Sequence, residues 1–176
     1  YFDEFGARLP DVYDDVHDIK GINRYRIALA HMLGHKRWSQ AIFADNFSPL
    51  QRIAIECFED SKIDYLICQQ YPGLRKLMIA LHPRPDEFAC DPKTESCIRH
   101  RLSMLSYAIL DEHHSYDNED VATFRKIFLE LMQDGKLSTS QMAELALEYV
   151  AKTRLQTDQL PNTIFENTEI EYRDDN

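Results

Sequence analysis

Two histidines one helical turn apart are the residues best placed to do chemistry: His31 and His35, in Arg24-Tyr-Arg-Ile-Ala-Leu-Ala-His31-Met-Leu-Gly-His35-Lys-Arg-Trp38. Helix positions four apart share a face, so both imidazoles point the same way. An acidic segment, Phe58-Glu59-Asp60-Ser-Lys-Ile-Asp64, follows on a second predicted helix, from which Glu59 could reach both rings. Two imidazoles and a carboxylate form a zinc ligand set. The pattern traces the outline of a zinc peptidase core, His-Glu-x-x-His plus a distant Glu. The position that should carry the general base is Met32. A thioether neither accepts a proton from water nor orients it, so candidate ligands remain without the group that would run hydrolysis.

The same residues support a second reading, a buried polar network. Glu59 lies one turn from Ile55 and from Ile63, and Asp60 and Asp64 stand one turn apart beside the apolar stripe Leu50, Ile53, Ala54, Cys57 and Phe58. Carboxylates in such a helix must find cations, donors or a metal, because an unpaired buried charge is costly. Arg24, Arg26, His31, His35, Lys36 and Arg37 of the first helix are the candidates, and Arg24, Asp60 and Asp64 are expected to belong to the network.

The elements that must position these groups are helical. The first strong helix is predicted from about Asn23 to Trp38. The second opens at Ser48-Pro49-Leu50-Gln51, an N-cap, a first-turn proline and a capping-box glutamine, and stops at Tyr71-Pro72-Gly73. A short helix, Leu74 to Leu81, ends before Pro83 and Pro85. A fourth, from near Thr94, carries Ile98, Leu102, Leu105 and Ile109 as an apolar stripe. A fifth begins at Asp117 or Asn118 and ends at Gly135. A sixth opens on the capping box Ser138 and Gln141. The expectation is an all-α bundle of about six helices: an irregular acidic segment over 1–20, a helical domain over 21–156, and an irregular acidic C-terminal extension over 157–176.

Composition narrows the function. The chain has 176 residues, a net charge of -10 and 44% hydrophobic residues. That is enough chain for one buried core, and too acidic for a nonspecific nucleic-acid binder or for attraction to an anionic membrane. No apolar run approaches the roughly 18 residues of a membrane span. The chain opens at Tyr1 without a basic-then-apolar leader, which suggests a piece of a longer protein. Four scattered cysteines do not suggest a disulfide framework, and Cys57 and Cys68 lie three turns apart on one helix, so a reducing cytoplasm is the simplest expectation. Cys90, Cys97 and His100, with His113 or His114, form a weaker metal candidate, since the gap between the cysteines is wider than a zinc knuckle; two ordinary cysteines are the simpler reading. Arg99-His-Arg101 and Arg75-Lys76 read as solvated faces, partners for buried acids or a small docking surface. No phosphate-binding glycine loop or serine-nucleophile elbow occurs.

Several stretches together carry a resemblance. They are His35-Lys-Arg-Trp-Ser39, Asp45-Asn-Phe-Ser-Pro-Leu-Gln-Arg52, Phe58-Glu-Asp-Ser-Lys-Ile-Asp64, Tyr71-Pro-Gly-Leu-Arg75, Ala80-Leu-His-Pro83, the run Cys90 to Leu102, and Thr153-Arg-Leu-Gln-Thr-Asp-Gln-Leu-Pro161. Over roughly 20–176 the chain resembles the region preceding the von Willebrand factor A domain in the NorD/CbbO family. The resemblance implies a cytoplasmic, non-catalytic adaptor of a hexameric MoxR-type AAA+ ATPase. Its client would be Rubisco in the CbbO branch, towards which we lean, or nitric oxide reductase in the NorD branch, held through an A domain. The A domain's Asp-x-Ser-x-Ser motif is not in this chain, and the family supplies no catalytic residue to carry over. The competing expectations are a divergent zincin-like hydrolase using zinc at His31, His35 and Glu59, and a purely structural spacer.

Overall fold

Serine caps start two of the helices where the sequence predicts them. Ser48 and Ser138 each accept from the backbone N–H three residues on, while Gln51 and Gln141 return a side-chain oxygen to the cap N–H. These reciprocal bonds satisfy amides that a helix start otherwise leaves bare. In the computed structural model, which describes residues 2–3, 6–16, 18–43, 45–135, 137–159 and 168–173, six α-helices result. They are α1 (Gly21–Trp38), α2 (Pro49–Gln70), α3 (Arg75–Leu81), α4 (Ile98–Leu110), α5 (Glu119–Asp134) and α6 (Thr139–Thr153). Short 3-10 turns cover Pro72–Leu74, Gln156–Gln159 and Glu171–Arg173. The fold is the expected all-α bundle. Among the described residues, extended pairing is limited to the two-residue strands β1 (Phe2–Asp3) and β2 (Gly6–Ala7) and one bridge, Val16 to Ile19.

The central element is α2, which packs against α1, α4 and α6. Two apolar clusters result. The larger fills the space between α2, α4, α5 and α6, with Phe58, Phe124 and Tyr149 at its centre in ring contacts of 5.0–6.5 Å. The smaller joins α1, α2 and α3 through Ile27, Ala28, Ile63, Ile67 and Met78, and Tyr172 from the C-terminal segment enters it. The extension over 157–176 is therefore not wholly peripheral: Asp158, Tyr172 and Arg173 are buried, while 160–167 and 174–176 lie outside the described residues. No helix among the described residues is long and apolar enough to cross a membrane.

One boundary and one bond differ from expectation. The fourth helix begins at Ile98 rather than near Thr94, because Asp91 draws the preceding residues into a turn by accepting from Lys93 N–H. Cys90 and Cys97, expected as ordinary thiols, form a disulfide across that turn, with Cα atoms 5.9 Å apart. The turn brings together two residues whose spacing in sequence gives no such indication. The bond also removes the argument from free thiols for a reducing cytoplasm.

Close approach of α1 to α2 depends on Gly34. A Cβ there would stand 2.5 Å from Ile63 Cγ2 and 3.2 Å from Ile67 Cδ1. Alanine elsewhere in a helix gains about 1 kcal/mol over glycine. Here Gly34→Ala is expected to lower stability by about 1–3 kcal/mol through overpacking, read as a lower urea midpoint with unchanged slope.

Candidate metal centre and the buried charge network

The acidic run of α2 sends its three carboxylates to three different sets of neighbours, as a rotation of about 100° per residue requires. Asp64 lies deepest. Its Oδ1 is 2.9 Å from His31 Nδ1, and its Oδ2 accepts from Tyr172 OH at 2.8 Å and from Arg173 Nε and Nη2 at 3.0 and 2.6 Å. Burial by itself would raise this carboxyl, but Arg173 and His31 outweigh it and hold Asp64 well below the usual carboxylate range. Arg173 Nη2 also donates to Ser106 Oγ at 2.8 Å, which carries the network into α4.

Glu59 ties helix ends together. Its Oε1 accepts from Lys62 Nζ at 2.6 Å, Ser39 Oγ at 2.6 Å and Thr139 Oγ1 at 2.9 Å. Lys62 is fully buried and its Nζ also lies 3.4 Å from Trp38 O in the last turn of α1. Glu59 thus joins the C-terminus of α1, the body of α2 and the N-terminus of α6. It was expected as the distant metal ligand, yet its contacts lie with these three donors. Ser39 stands between it and His35, whose Nδ1 is 2.9 Å from the Ser39 hydroxyl.

Asp60 occupies the place expected of Glu59. Its Oδ1 lies 3.2 Å from His35 Nε2 and 3.9 Å from His31 Nε2, and the two Nε2 atoms are 3.0 Å apart. His31, His35 and Asp60 are the one group among the described residues whose ligand atoms converge closely enough for a shared metal ion. His31 is fully buried, whereas the side chains of His35 and Asp60 are each 21% exposed. The acid that converges on the two imidazoles is thus Asp60, whereas the adjacent Glu59, the expected third ligand, turns to Ser39, Lys62 and Thr139.

Arg24, expected inside the network, is not bonded to Asp60 or Asp64. It donates to Asp14 O at 2.7 Å, pairs with Glu171 and lies over the Tyr13 ring. Arg24 sits two turns before His31, too far along α1 to reach the level of Asp64. Arg173 supplies the cation instead. Its only sequence signal is one basic residue in an otherwise acidic end, Glu169-Ile-Glu-Tyr-Arg173-Asp-Asp.

The second predicted cluster does not assemble, because the disulfide consumes Cys90 and Cys97. Arg101 of the basic spot does find a buried acid. Its Nη2 donates to Asp158 Oδ2 at 2.8 Å, and Asp158 also accepts from the Cys97 and Leu155 amides. His114 lies edge-on between Tyr107 and Tyr116. Comparison of the chain with protein-family models, curated proteins and solved structures gives no match.

His82 is a buried titratable group beside this network. Its Nδ1 donates to Pro83 O at 2.6 Å and its Nε2 lies 2.9 Å from Ser106 Oγ. Burial, reinforced by Arg173, pushes its pKa down to about 3.

Arg173→Ala leaves Asp64 buried without its cation and is expected to cost about 3–5 kcal/mol in urea unfolding. Arg24→Ala removes a pair whose Glu171 partner is 64% exposed and should cost no more than about 1 kcal/mol. Equal losses would mean that Arg173 does not hold the network. For His82 the folded pKa lies below the unfolded value, so its contribution is intact above about pH 6.5 and is lost as pH falls towards 3. The slope is roughly 1.4 kcal/mol per pH unit. Denaturant midpoints from pH 7 to pH 5 should therefore fall more steeply for the wild type than for His82→Asn.

Proposed function

We propose that this chain is the non-catalytic adaptor domain of a MoxR AAA+ ATPase-dependent protein-remodelling activator, of the CbbO type that acts on Rubisco, with NorD-type activation of nitric oxide reductase as the alternative. The observation that carries the reading is where the stretches of the resemblance fall. Phe58–Asp64 supplies Glu59, Asp60, Lys62 and Asp64; His35–Ser39 supplies both ends of the His35–Ser39 bond; Ala80–Pro83 supplies His82; and Cys90–Leu102 with Thr153–Pro161 supplies the disulfide and the Arg101–Asp158 pair. Five of the seven stretches thus contribute residues to the contacts that hold the helices together, as a scaffold requires, while Tyr71–Arg75 and most of Asp45–Arg52 lie at or near the surface.

The remaining geometry favours a scaffold over a zincin-like hydrolase. Met32 stands at the position of the base, and Glu59 Oε1 is engaged by three donors. The ATPase partner would place the chain in the cytoplasm. The Cys90–Cys97 bond runs against that location, because structural disulfides are rare in a reducing compartment.

The test is size-exclusion chromatography of the purified chain with its MoxR-type hexamer, with and without ATP. Co-elution in at least one nucleotide state, with a change in ATPase rate, is expected. Separate elution in every state overturns the docking role for residues 1–176.

A further inference from the structure

We propose that His31 Nε2, His35 Nε2 and Asp60 Oδ1 bind one divalent first-row transition metal ion, zinc in the first instance, which fastens α1 to α2. This inference does not depend on the adaptor reading. With sides of 3.0, 3.2 and 3.9 Å, the triangle of ligand atoms has a centre about 2.0 Å from each corner, the length of a zinc–imidazole or zinc–carboxylate bond.

The surrounding hydrogen bonds turn lone pairs towards that centre. Asp64, paired with Arg173, accepts only, so His31 Nδ1 carries the donated proton and His31 Nε2 carries a lone pair. Ser39 has one hydroxyl proton and gives it to Glu59 at 2.6 Å. Ser39 therefore accepts from His35 Nδ1–H, and the lone pair of His35 also lies on Nε2. Two imidazole lone pairs and a carboxylate oxygen then face one point. A single extra proton bridges only two of them, whereas a divalent ion serves all three.

The outer partners are those that metal-bound histidines require. Asp64 orients His31 as a carboxylate behind an imidazole, and Glu59 orients His35 through Ser39. Glu59 is thus a positioning residue rather than a ligand. Two imidazoles with one carboxylate suit zinc and its first-row neighbours better than calcium or magnesium. Three protein ligands leave a fourth position, on the side where His35 and Asp60 are partly exposed. Neither Met32 nor Glu59 is placed to deprotonate a water there, so the ion acts as a clamp between helices.

The test uses the purified chain, stripped with chelator, desalted and checked for helicity by circular dichroism. It is titrated with cobalt(II), and zinc affinity is then measured by competition with a chromophoric chelator. One equivalent of cobalt should give the visible absorption of a low-coordinate site, bleached by zinc. His35→Ala and Asp60→Asn should each weaken zinc binding by roughly 100-fold, and Ser39→Ala by roughly tenfold. The double variant His113→Ala/His114→Ala should bind as the wild type does. Uptake below about 0.1 equivalent by folded wild type overturns the site, and the cluster is then a proton-sharing network. Unchanged affinity in Asp60→Asn, which alters a partly exposed side chain and keeps its volume, overturns it equally, even if His35→Ala fails to fold.

Discussion

The buried carboxylate of Asp64 is the point on which the rest of the arrangement depends. A lone ion in this position would be strongly disfavoured, so the fold must bring compensating donors to it. They come from well-separated parts of the chain: His31 from α1, and Tyr172 and Arg173 from the C-terminal segment. Each donor is fastened in turn, His31 against His35 and Arg173 against Ser106 of α4. Ionisation of one side chain thereby fixes the register of α1 on α2 and seats a segment more than a hundred residues away in sequence.

The neighbouring acids of α2 repeat this logic with different partners. Glu59 is neutralised by Lys62 one turn along the same helix and holds Ser39 and Thr139, so it governs how α1 ends and α6 begins. Asp60, between them, meets the imidazoles on the more exposed side. Gly34 makes this possible, because the missing side chain lets Ile63 approach α1 and brings the histidines within reach of α2. Buried ionic pairs recover little beyond their desolvation, but losing one partner leaves an uncompensated charge, which penalises any register that separates them.

A second polar anchor lies at the other end of α4. Asp158 accepts from the Cys97 amide at the helix start and from Arg101 one turn on, and so docks the 3-10 turn after α6 against α4. The disulfide closes the loop that leads into the same helix start. A carboxylate at a helix N-terminus is favoured by the exposed amides and the macrodipole. The beginning of α4 is thus held by charge and by a covalent link, where no side-chain cap is present at Cys97.

Local chemistry made the helices legible. Ser48 with Gln51 and Ser138 with Gln141 mark helix starts through bonds that span three residues, and the Ile98, Leu102, Leu105 and Ile109 stripe needs only the helical period. The sequence by itself also determined that His31 and His35 share a face and that an acid of α2 would meet them. It could not decide between Glu59 and Asp60, because adjacent residues differ only by the rotation of α2 about its axis, and packing sets that rotation. Nor could it replace Arg24 with Arg173, or join Cys90 to Cys97, since those pairings depend on the path of the chain. Contacts within a few residues are written in local spacing; partners brought from afar are chosen by tertiary packing, where the cost of an unpaired buried charge selects the arrangement that supplies a cation.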